Sequence, residues 1–369
     1  MKIVFLKENK NECRVALLPD HIGALSNKFD VYISRGYGES ENIEDGMYTS
    51  NGIKIASKND IKTADIIVKL SALTKSEAKL ISDPKQILIT NMYLANNVQY
   101  LKFLLKRSIS SLAIELYHEN EAYLWAIKNS KMKAEFAIGG LTKYVESINK
   151  KGKLDKYVAT LKSFDPITSV VVNYSYETNE LVGQVLRNNN NVILLESDTD
   201  YENSIRRNVD CDSSMGKLTV LKCTFDVLMR ECKNASVLIN TTTLPGDKTH
   251  LKITSDMIQS MPEGGIYVDL GADQGFGSEI TTRPNTFKKP FTITFGKLCI
   301  APNNIPSIYD IESSSYTSKF MTYLLNMFSQ GTLETIKNNH NVREAMQTFG
   351  NELTSETIAK ALTLKYIKL

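Results

Sequence analysis

The chain has 369 residues, 42% hydrophobic and 23% charged, and its 44 Lys and Arg nearly balance its 41 Asp and Glu for a net charge of +3. That length suits two domains with cores of their own rather than one, and a near-neutral balance without a clustered basic face argues against a nucleic-acid partner. No stretch of about 18 apolar residues exists to span a membrane, and the five scattered cysteines (Cys13, Cys211, Cys223, Cys232, Cys299) include no CxxC pair. They read as small reduced thiols of a cytoplasmic protein, with no metal site expected.

In chain order, Met1–Leu6 is too short an apolar run for a signal peptide and reads as a first strand. Pro19–Leu25 opens a helix. Val31–Ser34, Ala64–Leu70, Gln86–Asn91 and Ser111–Leu116 read as strands, with helical spacing over Ser76–Ile81 and Val98–Leu105 between them. A long helix is expected over Ala134–Asn149, followed by the Lys-rich stretch Lys150–Lys156. A second alternating series follows: strand Ser169–Val172, helix Leu181–Arg187, then strands Val192–Leu195, Lys217–Lys222, Ala235–Asn240 and Gly265–Leu270. Phe291–Phe295 and Leu298–Ala301 suggest a hairpin, and Ser315–Met327 and Glu352–Leu364 suggest helices. Short apolar runs alternating with helices imply parallel sheets covered by helices, an α/β class.

Several motifs recur in a recognisable order. Lys7–Pro19 contains Arg14-Val-Ala-Leu-Leu-Pro19 after the first strand. Ala64-Asp-Ile-Ile-Val-Lys69, Met92-Tyr-Leu-Ala95 and Ala113-Ile-Glu115 come next. Leu244-Pro-Gly246, Val268-Asp-Leu-Gly-Ala-Asp-Gln-Gly275 and Thr282-Arg-Pro284 complete the series. In order and spacing this chain resembles the alanine dehydrogenase and nicotinamide nucleotide transhydrogenase family over nearly its whole length. Pro302–Ser307 is in addition similar to carboxyethylornithine synthase. The resemblance implies two Rossmann-like parallel-sheet domains with a cleft between them, joined by long helices. Residues 1–127 and 306–369 would form the outer, substrate domain, and residues 128–305 the dinucleotide-binding type. It also implies hydride transfer between NAD or NADP and an amino acid, its 2-oxo acid or an imine.

The same resemblance assigns roles. Arg14 and Lys69 stand where the family holds the substrate carboxylate. A guanidinium suits that role because it can offer two parallel hydrogen bonds. Asp273 follows a strand whose carboxyl end would face the ligand, and the matching family residue lies near the nicotinamide. Tyr93 replaces a His that serves the family as an acid/base. A phenol exchanges protons less readily at neutral pH but can still donate a hydrogen bond.

The phosphate loop departs most from the family. Where Gly-x-Gly-x-x-Gly is expected after Ser169–Val172, Tyr174, Tyr176 and Asn179 stand at the glycine positions, and Glu177 adds negative charge. The three glycines serve different ends, one making the tight turn, one letting pyrophosphate approach closely and one packing the helix on the strand. Glu196, at the end of the next strand, matches the acidic residue that binds the adenosine ribose. Thr242, Thr243 and Asn303 are further polar contacts for a cofactor. Two functions follow. One is a divergent NAD(P)-dependent amino-acid dehydrogenase or imine reductase. The other is an inactive relative that binds a small carboxylate or supports a paralogue. The partners expected are a small 2-oxo acid or amino acid, and other subunits in a homo-oligomer or a mixed oligomer.

Overall fold

The computed structural model describes the whole chain except residues 11, 82, 121, 164–166, 173–175, 188–189, 197–215, 242–251, 273–277, 282–283 and 287–288, and a few side chains within elements. The described residues divide into two compact units, one of Met1–Ala126 with Pro306–Leu369 and one of Ile127–Leu244 with Lys248–Ile305.

The first unit is built on an eight-stranded sheet. Its strands are β1 (Lys2–Phe5), β2 (Asp30–Ile33), β3 (Lys54–Ile55), β4 (Ile66–Val68), β5 (Ile87–Thr90), β6 (Ser110–Ala113), β14 (Met346–Phe349) and β15 (Glu352–Leu353), and their order is β15-β14-β6-β5-β4-β1-β2-β3. β1 to β6 are mutually parallel, whereas β14 runs antiparallel to β6 and β15 to β14. Parallel strands covered on both faces must be apolar throughout. Ile66, Ile67 and Val68 of β4, and Ile87, Leu88 and Ile89 of β5, are accordingly fully buried. Each such side chain stabilises the fold by about 1.5–3 kcal/mol relative to an exposed one.

The second unit carries a seven-stranded sheet. It comprises β7 (Thr168–Val172), β8 (Asn191–Glu196), β9 (Leu218–Lys222), β10 (Val237–Asn240), β11 (Ile266–Asp269), β12 (Thr292–Thr294) and β13 (Lys297–Ile300), in the order β12-β13-β11-β10-β7-β8-β9. Only β12 is antiparallel. In each unit the strand order reverses beside the first strand, β1 or β7, and ligands of open α/β sheets bind at the carboxyl ends near such switch points. The two-unit α/β architecture is therefore Rossmann-like throughout.

Three elements differ from expectation. The helix expected from Ala134 begins at Leu124, runs to Glu135, and passes through a π turn at Phe136–Gly140 into Leu141–Ile148. Its first half buries Trp125, Met132, Lys133 and Ala134 together, which blurs the one-sided apolar stripe that marks a helix in sequence. The expected strand Ser111–Leu116 stops at Ala113 and tightens into a 3-10 turn, Ile114–Leu116. The tail expected as one helix, Glu352–Leu364, holds β15 and the shorter helix Glu356–Leu362. β14 precedes it, hidden in sequence by Gln347 and Thr348. Both are fully buried, and Thr348 bonds the Ser111 hydroxyl at 2.7 Å and donates to the Ile109 carbonyl at 2.6 Å. These bonds attach the returning tail to the first unit's sheet.

Among the described residues, Cys232 and Cys299 are free thiols. No described helix is long and apolar enough to cross a membrane, and no described group of three His, Cys, Asp or Glu side chains is placed to hold a metal.

Candidate active site

In the first unit, β6, β5, β4 and β1 are adjacent, and each delivers a chemically capable residue just beyond its carboxyl end. β1 leads to Glu8, Glu12 and Arg14. β4 leads directly to Lys69, β5 to Tyr93 and β6 to Glu115. Arg14, Lys69 and Tyr93 are candidates from the sequence, and the sheet brings them to one edge.

The loop after β1 is laced to its neighbours. The Glu8 carboxylate accepts the N–H groups of Leu70 and Ser71, both at 2.8 Å, and the Ser71 hydroxyl at 2.6 Å. The Asn9 N–H donates to the Ser71 hydroxyl at 3.1 Å. Further along, serines on and just before the helix Asp310–Asn326 receive backbone N–H groups. Cys13 donates to Ser307 Oγ at 3.3 Å, Val15 to Ser314 Oγ at 3.1 Å and Leu18 to Ser318 Oγ at 2.8 Å. An extended loop with buried N–H groups must find such acceptors, and here they fix the segment that carries Arg14.

Arg14 is 2% exposed. Its Nε donates to Glu12 Oε1 and its Nη2 to Glu12 Oε2, both at 2.8 Å. The guanidinium carbon lies 5.2 Å from the Trp125 ring. Burial acts to raise Glu12, but the Arg14 charge and the hydrogen bonds from Arg14 and Ser307 outweigh it and hold this carboxyl below its usual value. For Arg14 burial acts to lower the pKa, yet Glu12 keeps it above the usual value. Tyr93 and Glu8 also fall within electrostatic reach of the guanidinium. Glu12 takes the Nε/Nη2 edge of the guanidinium.

Lys69 is fully buried, and its Nζ donates to Asn9 Oδ1 at 3.1 Å and to the two Glu77 oxygens at 2.8 and 2.7 Å. Both cations are therefore already paired within the chain. Glu8, Glu12, Glu77, Glu115 and Trp125 are the partners that sequence reasoning did not single out. Glu8, Glu12 and Glu115 lie inside the quoted motifs, but nothing in the sequence reveals which way a carboxylate faces.

Two carboxyls here are unusually poor acids. Burial, then the Glu12 charge, pushes Glu8 up to about 7 against three hydrogen bonds. Burial alone pushes Glu115 up to about 7. Groups poised near neutrality are suited to holding or passing a proton.

In the second unit, the carboxyl ends of β7, β10 and β11 are tied together. The Val172 carbonyl accepts the Thr241 N–H at 3.2 Å and hydroxyl at 3.0 Å. Asn240 Nδ2 donates to Asp269 Oδ1 at 3.1 Å, as does the Gly271 N–H at 3.1 Å, and Tyr267 donates to Oδ2 at 3.1 Å, where Thr281 also donates. Burial still raises Asp269 to about 6. Asn303 is half-buried in the loop after β13. Asp273, Thr242 and Thr243 lie outside the described residues. Glu196 closes β8, but its side chain is not among those described.

A dinucleotide would cross the end of β7. Only residues 173–175 separate that strand from the helix Tyr176–Arg187, and no glycine occurs from 173 to 182. Tyr176 and Glu177 therefore occupy the first turn, where a backbone without side chains would receive pyrophosphate. These residues do not fit the ordinary glycine-lined grip.

Two open Rossmann-like sheets, one with a cluster of Arg, Lys and Glu side chains at its switch point, define the class of two-domain α/β proteins. Within that class, the profile described as alanine dehydrogenase/PNT, N-terminal domain, matches residues 4–130, and the corresponding C-terminal domain matches residues 189–356. The chain is 27% identical over 367 residues to an alanine dehydrogenase of Methanococcus maripaludis, covering 98% of this chain and 96% of that protein. It is 24% identical over 373 residues to alanine dehydrogenase 1 of Staphylococcus aureus, covering 99% and 98%. Among solved structures, an L-alanine dehydrogenase superposes with a TM-score of 0.76 at 18% identity, covering 98% of this chain and 99% of that one. A transhydrogenase from Sinorhizobium meliloti superposes with a TM-score of 0.68 at 17% identity, covering 95% and 100%. The chain belongs to the alanine dehydrogenase/PNT family.

Proposed function

We propose that this chain takes a 2-oxo acid or amino acid by its carboxylate at the Arg14 cluster, and that its reaction is that of a divergent NAD(P)-dependent amino-acid dehydrogenase or imine reductase. The observation that carries this reading is the convergence of Arg14, Lys69 and Tyr93 beyond the ends of adjacent strands. Arg14 meets the ligand carboxylate through its guanidinium, and Lys69 adds a positive charge beside the neighbouring carbonyl. Tyr93 donates a hydrogen bond to that carbonyl, and Asp273 is the residue assigned to proton handling. Glu196, Thr242, Thr243 and Asn303 are the residues assigned to the cofactor, in a grip that does not use glycine. Assembly with further copies or with a paralogue accompanies this reading.

A second reading has its own support. The glycine-free start of the helix Tyr176–Arg187 and the Tyr in place of His at position 93 suit a non-catalytic relative that retains only the carboxylate site. Steady-state turnover separates the two. The purified chain, given NADH or NADPH, ammonia or an amine, and a panel of 2-oxo acids, should oxidise the cofactor under the first reading. Absence of turnover throughout the panel, with carboxylate binding retained, establishes the second.

A further inference from the structure

Residue 93 has an unusual backbone. Tyr93 adopts φ +44°, in the left-handed region that a bulky L-residue rarely occupies. Such strain persists only where the surroundings hold it. What holds it here comes from the neighbouring strand. Glu115, one turn beyond the end of β6, is 1% exposed. Its Oε1 accepts the N–H of Met92 at 3.0 Å and of Tyr93 at 2.6 Å. Its Oε2 is buried and has no hydrogen-bond partner among the described residues, and Asn91 Oδ1 in the same turn shares that condition. Tyr93 in turn lies within electrostatic reach of Arg14.

We infer that Glu115 is a positioning residue of this site: its carboxyl holds residue 93 in the left-handed conformation and so sets where the phenol stands relative to Arg14. In the neutral acid the carbonyl oxygen can still accept both N–H groups while the hydroxyl keeps its proton. Burial favours that form and outweighs the backbone N–H bonds, which favour the charged one. The arrangement provides for the missing His in a particular way. A phenol with a long reach needs its backbone fixed if its oxygen is to meet one atom of a small ligand, and a flexible turn would lose that registration. The part of the inference that concerns Arg14 rests on the carboxylate-binding reading above, whereas the clamp on residues 92 and 93 does not.

Two measurements on the full chain test it. Hydrogen exchange followed by mass spectrometry reads the clamp through peptides spanning residues 88–96. Glu115→Ala should speed exchange there by at least about tenfold, while peptides of the second unit stay unchanged. Glu115→Gln keeps a carbonyl acceptor and should remain near the wild-type rate. Titration with pyruvate as probe reads the positioning. Glu115→Ala should weaken binding by about tenfold in the native chain but add nothing in the Tyr93→Gly background, because the effect runs through Tyr93. Unchanged exchange at residues 88–96 overturns the clamp. Equal weakening in both backgrounds overturns the positioning role. A wild-type chain that binds no pyruvate overturns the carboxylate reading and the Arg14 part of this inference with it, and exchange alone then decides the clamp.

Discussion

At the scale of single residues, the site is defined by how its charges are paired. Arg14 and Glu12 form a buried two-bond pair. Removing one member leaves the other buried without its main counter-charge, at a cost of about 3–5 kcal/mol. Arg14→Ala should therefore lower stability as well as ligand affinity, and denaturant unfolding beside binding will register both. Arg14→Lys keeps the charge but loses the fork, so it should unfold closer to wild type while binding pyruvate about tenfold more weakly. If Arg14→Lys bound as tightly as wild type, Arg14 would be a structural ion-pair partner alone.

Glu8 and Glu115 make a second prediction at this scale. Both are raised from an ordinary value of 4.5 to about 7, so in the fold each keeps a proton that the unfolded chain has lost. Their contribution is present below pH 4.5 and disappears as pH rises through about 7, with a slope of about 1.4 kcal/mol per pH unit for each group. Asp269, raised to about 6, acts in the same direction at slightly lower pH. Unfolding free energy should accordingly be smaller at about pH 8 than at about pH 5.5, and Glu8→Gln or Glu115→Gln should each flatten the difference. Stability that is level or rises over that interval would show these carboxyls to be ionised in the folded chain.

At the scale of elements, the loop carrying Arg14 depends on hydroxyls from a helix some 300 positions away in sequence, with the Leu18 N–H meeting Ser318 across a separation of 300 residues. Ser314 accepts the Val15 N–H and donates to Glu41. Ser314→Ala leaves a buried N–H without that acceptor, and should cost about 1–3 kcal/mol while weakening pyruvate binding through the displaced loop. An unchanged unfolding curve would mean another acceptor replaces it.

This dependence marks how far the sequence is readable. The parallel strands were legible because burial on both faces makes them continuous apolar runs, as in Ile66–Val68 and Val170–Val172. Arg14 and Lys69 stood out as candidates because their motifs resemble those of a family. β14 was not, because Gln347 and Thr348 look like surface residues until Ser111 is placed opposite them. Glu77 and Glu115 were not either, because their roles lie in partners from other strands. The left-handed backbone at Tyr93 left no signal at all, since sequence marks such positions only when glycine or asparagine fills them.

At the scale of the whole molecule, the two units hold unequal credentials. The first unit holds the buried cations Arg14 and Lys69, and Glu12, Glu77 and the serine-bonded loop keep them in place. The second retains the parallel sheet, the Thr241–Val172 tie and the Asp269 network, yet starts its first helix with Tyr176 and Glu177. Family membership explains why the frame is intact. It does not by itself determine whether both ligands still bind, because function resides in the site rather than the fold.

Thermal unfolding with pyruvate, with NADH or NADPH, and with each pair together bears most directly on that question. A ligand that binds only the folded chain raises the midpoint by mass action, by about 2.7 kcal/mol of added stability at ~100 times its dissociation constant. The proposed function predicts an upward shift with pyruvate that Arg14→Lys reduces, and a further shift with one of the two cofactors. A midpoint that moves with none of them would contradict both the carboxylate site and the nucleotide-dependent reaction.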